Sequence, residues 1–284
     1  MLVCKGVPDF LFSFGEGVSP LKKIIDFHTH PYMIQEENLC HYSDDFKLSP
    51  EEAKADLERA GITKICGSVI SKKGYDPALG FEQIKALNDR ALELKALYGD
   101  FYEPGFQIHP AYVKESLEVL EFMHKNGYRL IGEVVPYIHG WGKHELNYGS
   151  RELREILELA GEYGMVFSYH TMISWKDEME EMIAQNPKVK FVAAHPNQRS
   201  DYMLHLERME KYENAYLDVS GSGLERYGML REGIRRVGDD RFLFGTDYPI
   251  TNPGMYVQAV LFEQISDESK EKIFYQNAER LLKK

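Results

Sequence analysis

From about Lys23 onward, short apolar runs alternate with longer stretches whose apolar positions recur at helical spacing. The runs read IIDF, ICGSVI, GFQI, LIGEVV, MVFSY, VKFVAA, YLDVS and FLF. Runs this short, rich in β-branched and aromatic residues, suit strands buried on both faces, as in a parallel sheet. They predict strands at 23–28, 64–70, 101–108, 129–135, 165–170, 189–195, 215–220 and 241–245. Between them the amphipathic period predicts helices at 81–98, 113–125, 151–163, 176–185, 202–212 and 223–237, with two more near the C-terminus. Ser49-Pro50-Glu51-Glu52 opens a further helix: Ser49 caps, Pro50 takes the first helical position and acids fill the first turn. Gly61, Gly127, Gly164 and Gly238 stand where helices stop.

Eight strand–helix units in 284 residues predict an α/β chain closed into a (β/α)8 TIM barrel, with a doubly wound open sheet as the structural alternative. The barrel takes residues 21–284, and residues 1–20 form an N-terminal arm. No Pro/Gly-rich linker, low-complexity segment or internal repeat divides the chain.

Parallel barrels build their active sites at the C-terminal ends of the strands. The first strand ends in Asp26-Phe27-His28-Thr29-His30. Side chains two apart on an extended backbone point the same way, so His28 and His30 start a metal site. Glu133 lies on the fourth strand, His170 ends the fifth, His195 ends the sixth and Asp247 follows the eighth. Imidazole and carboxylate donors suit zinc first, then manganese or iron, with one or two ions held. Eight of the ten histidines fall on this predicted face; only His124 and His205 lie in helices. Alone, each histidine reads more often as a hydrogen-bonded structural residue than as a ligand, Glu133 also reads as an ordinary ion-pair member and Asp247 as a turn initiator. The conjunction of six ligand types after strands one, four, five, six and eight carries the inference.

Composition narrows the partners. Hydrophobic residues make up 43% and charged residues 28%, an ordinary globular mix. Net charge is 34 − 45 = −11, which argues against nucleic acid and anionic membranes and leaves a small-molecule substrate. A homo-oligomer stays open. Cys4, Cys40 and Cys66 are too scattered for a disulfide framework, which suits a cytoplasmic setting. Neither a signal peptide nor a membrane span is legible.

The motifs IIDFHTHP at 24–31, IGEV at 131–134, FSYH at 167–170, FVAAHP at 191–196, YLDVSG at 216–221, FLFGTDYP at 242–249 and NAERLL at 277–282 resemble the amidohydrolase superfamily. The likeness is to its amidohydrolase-related branch, which includes aminocarboxymuconate-semialdehyde decarboxylase-like proteins. It implies metal ligation by His28, His30, His170, His195 and Asp247, with Asp247 also shuttling a proton. Many binuclear relatives carry a carboxylated lysine on strand four, where this chain has Glu133; a bridging Glu there resembles TatD-type nucleases of the same superfamily. A PHP-type phosphoesterase ranks lower, because Tyr248 and Pro249 follow Asp247 where that group has a late Asp-x-His.

The reading is a metal-dependent hydrolase of a small amide, ester or lactone. An ion lowers the pKa of its bound water to about 7, and Asp247 carries the proton. The alternatives are nonoxidative decarboxylation of a small carboxylic acid, a TatD-like nuclease or phosphoesterase, and a non-catalytic metal-binding scaffold. Asp26 either orients the first-strand histidines or is a buried acid beside the strand. Candidate substrate contacts are Tyr32, His109, Tyr137, His139, Trp141, Arg199 and Tyr248, each with a packing or solvated alternative. The loop 136–150, rich in Gly and aromatics, is the expected lid.

Overall fold

The computed structural model describes residues 23–42 and 44–283. The expected N-terminal arm, residues 1–20, lies outside the described residues. Eight parallel strands follow one another around a single sheet: β1 (Ile25–Thr29), β2 (Lys64–Ser68), β3 (Tyr102–Phe106), β4 (Leu130–Val134), β5 (Val166–His170), β6 (Lys190–Ala194), β7 (Ala215–Asp218) and β8 (Phe242–Leu243). Backbone bonds then join the two edges. Phe27 N donates to Phe244 O at 2.8 Å, Asp247 N to His28 O at 2.8 Å and His30 N to Tyr248 O at 2.7 Å. The fold is the expected (β/α)8 barrel, a single domain.

The helices are α1 (Pro50–Arg59), α2 (Glu82–Tyr98), α3 (Val113–Asn126), α4 (Arg151–Glu162), α5 (Lys176–Gln185), α6 (Arg199–Lys211), α7 (Met229–Val237), α8 (Pro253–Phe262), α9 (Asp267–Glu271) and α10 (Asn277–Leu282). Ser49 makes the full capping box with Glu52 at the head of α1. Two helix starts differ from expectation. α6 begins three residues early, at Arg199, while α7 begins six late, because the chain from Gly223 to Gly228 forms a loop that ends in a left-handed Gly228. No helix among the described residues is long and apolar enough to cross a membrane.

Alternation along the strands sorts the core into two layers. Ile65, Phe106, Ile131, Phe167, Phe191, Leu217 and Phe242 pack with the helices in the larger cluster. Ile25, Phe27, Cys66, Leu130, Val166, Val192, Tyr216 and Leu243 form a second cluster, to which α10 adds Ala278 and Leu281. Each fully buried apolar side chain contributes about 1.5–3 kcal/mol, so both layers hold the strands in place. Register shifts interrupt two ladders, between Asp26 and Thr29 in β1 and between Ile131 and Val134 in β4. Such irregularities re-aim side chains beside active sites, and these two bracket His28 and Glu133.

His205 on α6 is buried, at 3% exposure. Burial and the neighbouring Arg208 push its imidazole down to about 3, whereas an unfolded histidine titrates near 6.5. Between those values the unfolded chain binds more protons, so stability is lost as pH falls from about 6.5. His205→Leu removes this slope. Unfolding free energies from denaturant titrations at pH 6.5 to 4.5 are expected to fall more steeply in the wild type, by up to about 1.4 kcal/mol per pH unit. Parallel curves would contradict the assignment.

Candidate metal centre

Strand ends and the loops just beyond them carry His28, His30, Glu133, His170, His195 and Asp247 into one cluster, all buried but the half-buried His170. His28 Nε2 and His30 Nε2 lie 3.3 Å apart. His28 Nε2 is 3.5 Å from Glu133 Oε2 and 3.5 Å from Asp247 Oδ1. His30 Nε2 is 3.3 Å and 3.4 Å from the same two oxygens. Donors tetrahedrally arranged at about 2.0–2.2 Å around an ion stand about 3.3–3.6 Å from each other, so these four atoms could hold one divalent cation. On the far side, Glu133 Oε1 accepts a hydrogen bond from His170 Nδ1 at 2.9 Å and lies 3.7 Å from His195 Nε2. Glu133 therefore offers one oxygen to the His28–His30–Asp247 trio and the other to the His170–His195 pair. In each set of three, His28–His30–Asp247 and Glu133–His170–His195, the donor atoms lie within 4.8 Å of one another.

The hydrogen bonds behind the cluster fix how the rings face. A carbonyl only accepts, so His30 Nδ1 must carry the proton it shares with Ser68 O at 3.1 Å. His28 Nδ1 donates to Asp218 Oδ2 at 2.9 Å. His195 Nδ1 donates to Ser220 Oγ at 3.0 Å, and Ser220 Oγ donates in turn to Asp218 Oδ1. Asp218 thus orients two histidines from opposite sides, leaving the Nε2 atoms of His28, His30 and His195 aimed inward. Ser68 and Gln107 complete the floor: Gln107 Nε2 donates to Ser68 Oγ and to Glu133 O, both at 2.8 Å.

Electrostatics agree with the geometry. Burial opposes charging His30, but Asp247 and Glu133 outweigh it and push the imidazole up to about 9. His28 is driven up too, burial again opposing and Asp218 and Glu133 prevailing. Burial works against ionising Glu133 and Asp247, yet the surrounding histidines hold both carboxyls below their usual range. Burial keeps His195 neutral by lowering its pKa. The cluster draws in positive charge.

Local backbone supports the arrangement at a cost. His195 has φ of 67° and Asp247 of 64°, a region non-glycine residues rarely occupy. Such strain concentrates at functional sites. Two glycines make room: a Cβ on Gly221 would meet the His195 ring at 2.3 Å, and one on Gly245 would meet His28 Cβ at 2.8 Å.

Several expected residues play other parts. Asp26 sits before the β1 register shift and accepts from Thr246 N, Thr246 Oγ1 and His28 N rather than from a ligand ring. Burial lifts its carboxyl to about 7, and the orienting carboxylate is Asp218 instead. Arg199 is exposed at the start of α6. Tyr248 is buried near Tyr32 and Tyr98, away from the cluster, and Tyr32 donates to Leu48 O. His109 is consumed structurally, Nε2 donating to His139 O and Nδ1 accepting from Ala111 N. Trp141 is wholly buried against Tyr148, which pins the loop 136–150 as a packed cover rather than a free lid. Tyr137 alone of the aromatic candidates reaches the rim, its ring 5.2 Å from that of His170. The sequence reading missed Asp218 and Ser220; the signal was two polar residues, two apart, in the otherwise apolar YLDVS run.

Removing one oxygen of the orienting acid should loosen the cluster without emptying it. Asp218→Asn is expected to weaken divalent-ion affinity about 10- to 100-fold, measured by chelator competition; unchanged affinity would refute its orienting role.

The Amidohydrolase family model matches residues 25–284. No curated protein sequence matches the chain significantly. Among solved structures, 2,6-dihydroxybenzoate decarboxylase from Rhizobium is similar at 16% identity and a TM-score of 0.70, over 92% of this chain and 98% of that one. A 5-carboxyvanillate decarboxylase from Novosphingobium aromaticivorans, complexed with manganese, is similar at 15% identity and a TM-score of 0.65, over 92% and 96%. An uncharacterized TIM-barrel protein from Bordetella bronchiseptica is similar at 21% identity and a TM-score of 0.69, over 92% and 98%. These likenesses carry the fold, and the family match spans the barrel from its first strand to the last residue: this chain belongs to the amidohydrolase family.

Proposed function

We propose that this chain is a divalent-metal-dependent enzyme that hydrolyses a small-molecule amide, ester or lactone. The observation that carries the reading is Glu133 lying between two donor sets, one oxygen to each. His28, His30, Asp247 and Glu133 would hold one ion, and Glu133, His170 and His195 a second with an open position, as catalytic sites require. Zinc suits these donors best, with manganese or iron as substitutes. Ions held there would lower the pKa of a bound water and polarise a carbonyl.

The chain's own residues do the rest. Asp247 is ionised at neutral pH because the neighbouring histidines outweigh the cost of its burial, so it accepts a proton from the attacking water and passes it to the leaving group. Asp218 and the Ser68 carbonyl hold the rings in the tautomers that present Nε2. Tyr137, exposed beside His170, offers the substrate a wall at the mouth.

Nonoxidative decarboxylation of a small carboxylic acid is the second reading. The decarboxylases among the similar structures support it, and they support it better than they support hydrolysis. In that chemistry the carbon that loses carbon dioxide takes up a proton, and Asp247, ionised at rest, would first accept that proton from the substrate's hydroxyl or from water and then relay it to the carbon.

The metal-loaded protein, assayed against a panel of carboxylic acids, amides and lactones, separates the two. Hydrolysis products without carbon dioxide are expected; stoichiometric carbon dioxide release would replace the first reading with the second. Asp247→Asn is expected to lower kcat by about 10³-fold or more in either case, with the circular dichroism spectrum retained. Unchanged turnover would defeat the assignment of Asp247.

A further inference from the structure

Arg208 on α6 is buried, at 6% exposure, and it makes no ion pair among the described residues. Its one hydrogen bond runs from Nη2 to Lys176 O at 3.0 Å. Nε is sealed from solvent and has no partner. Nη1 has no partner either, but it is not sealed. Glu180 is near enough to feel the charge, yet its carboxylate is bonded to Lys211 and Tyr212. Taking a guanidinium out of water is costly, and arginines this buried are normally paired. The missing counter-charge asks for a reason.

Arg208 lines a cavity of about 230 Å³ between α5 and α6, under the loops after β5, β6 and β7. One wall is polar and already bonded within itself: Asn197 Nδ2 donates to Thr171 Oγ1 at 2.7 Å, and Ser222 Oγ donates to Asn197 Oδ1 at 3.2 Å. Ile173, Met179 and Leu204 make the rest largely apolar. What is left unanswered is Arg208 Nη1 and its neighbour His205. The His205 Nε2 is sealed and unpartnered, whereas Nδ1, also unpartnered, is not sealed. Burial keeps this ring neutral, so its single proton can sit on Nδ1 and be donated. Asp201 is the one acid on the wall, and it stands about 10 Å from Arg208 along the helix. None of the six metal-centre residues lines this cavity.

We propose that the cavity binds a small organic monocarboxylate beside the metal centre, its carboxylate on Arg208 and His205 and its apolar body against Ile173, Met179 and Leu204. One guanidinium answers one negative charge, and Asp201 opposes a second. The apolar wall suits a carbon skeleton and disfavours a strongly hydrated ion such as phosphate. An apolar cavity of about 150 Å³ holds a benzene molecule, so this one has room for a ring and its carboxylate. The binding does not depend on which reaction the metal centre carries out.

The test is calorimetric binding of benzoate, its uncharged near-isostere benzamide, and inorganic phosphate to the metal-loaded protein. Benzoate is expected to bind the wild type more tightly than benzamide or phosphate does. In Arg208→Met it is expected to lose about tenfold or more, the worth of a hydrogen bond between charged groups, while benzamide changes little. Arg208→Lys, which keeps the charge, is expected to recover part of the loss. Ile173 is 58% exposed at the mouth, so Ile173→Glu leaves Arg208 and the fold in place. It is expected to weaken benzoate about threefold at low ionic strength, an effect that fades as salt is added. Should Arg208→Met lower the melting temperature, Ile173→Glu decides alone. In crystals soaked with 4-bromobenzoate, an anomalous bromine peak is expected in this cavity. Equal benzoate affinity in wild type and both variants would overturn the proposal, as would no benzoate binding, tighter binding of phosphate, or a bromine peak at the metal centre only.

Discussion

His28, His30 and His195 turn their Nε2 atoms toward the carboxylates of Glu133 and Asp247 in one water-poor space, with half-buried His170 at its edge. Donor atoms 3.3–3.5 Å apart around His28, His30, Glu133 and Asp247 repel one another unless a positive charge lies among them. In a low-dielectric interior such repulsion is far stronger than in water. A fold that keeps this arrangement must gain from what fills it, and every other feature of the centre follows from holding these atoms still. Asp218 takes the protons of His28 directly and of His195 through Ser220. The Ser68 carbonyl takes that of His30. Each of these bonds sends a lone pair toward the middle.

The barrel supplies the positions, but a regular barrel would not. Two-residue alternation puts Ile25 and Phe27 with Cys66, Val166 and Leu243 in one cluster. The shift between Asp26 and Thr29 interrupts that alternation just where His28 begins the centre. A second shift surrounds Glu133. At the ends of β6 and β8, His195 and Asp247 adopt left-handed backbone conformations, and glycines at 221 and 245 clear the space their neighbours need. The site is thus assembled from departures from regularity, set on strands whose apolar packing stabilises them.

That contrast explains what could be read in the sequence. Strand order and barrel closure were legible because buried parallel strands leave continuous apolar runs and helices leave a 3.6-residue period. The six clustered residues were legible because ligand-type side chains interrupt those runs at their C-terminal ends. Asp26 carried two readings, and register decides for the buried acid beside the strand: before the β1 shift it reaches Thr246, not a ring. Asp218 hid in YLDVS because one acid in a strand carries no sign of its partner 190 positions away. Arg199 was a candidate contact with a solvated alternative, and it stands exposed at the first residue of α6. The loop from 136 to 150 read as a lid from its glycines, and Trp141 holds it down through contacts that only the folded chain reveals.

The most direct test of the centre is anomalous diffraction from crystals grown with manganese or zinc. A peak is expected between His28 Nε2, His30 Nε2, Asp247 Oδ1 and Glu133 Oε2, with a second on the side of Glu133 that faces His170 and His195. An anomalous map with no peak within bonding reach of these six side chains would contradict the account.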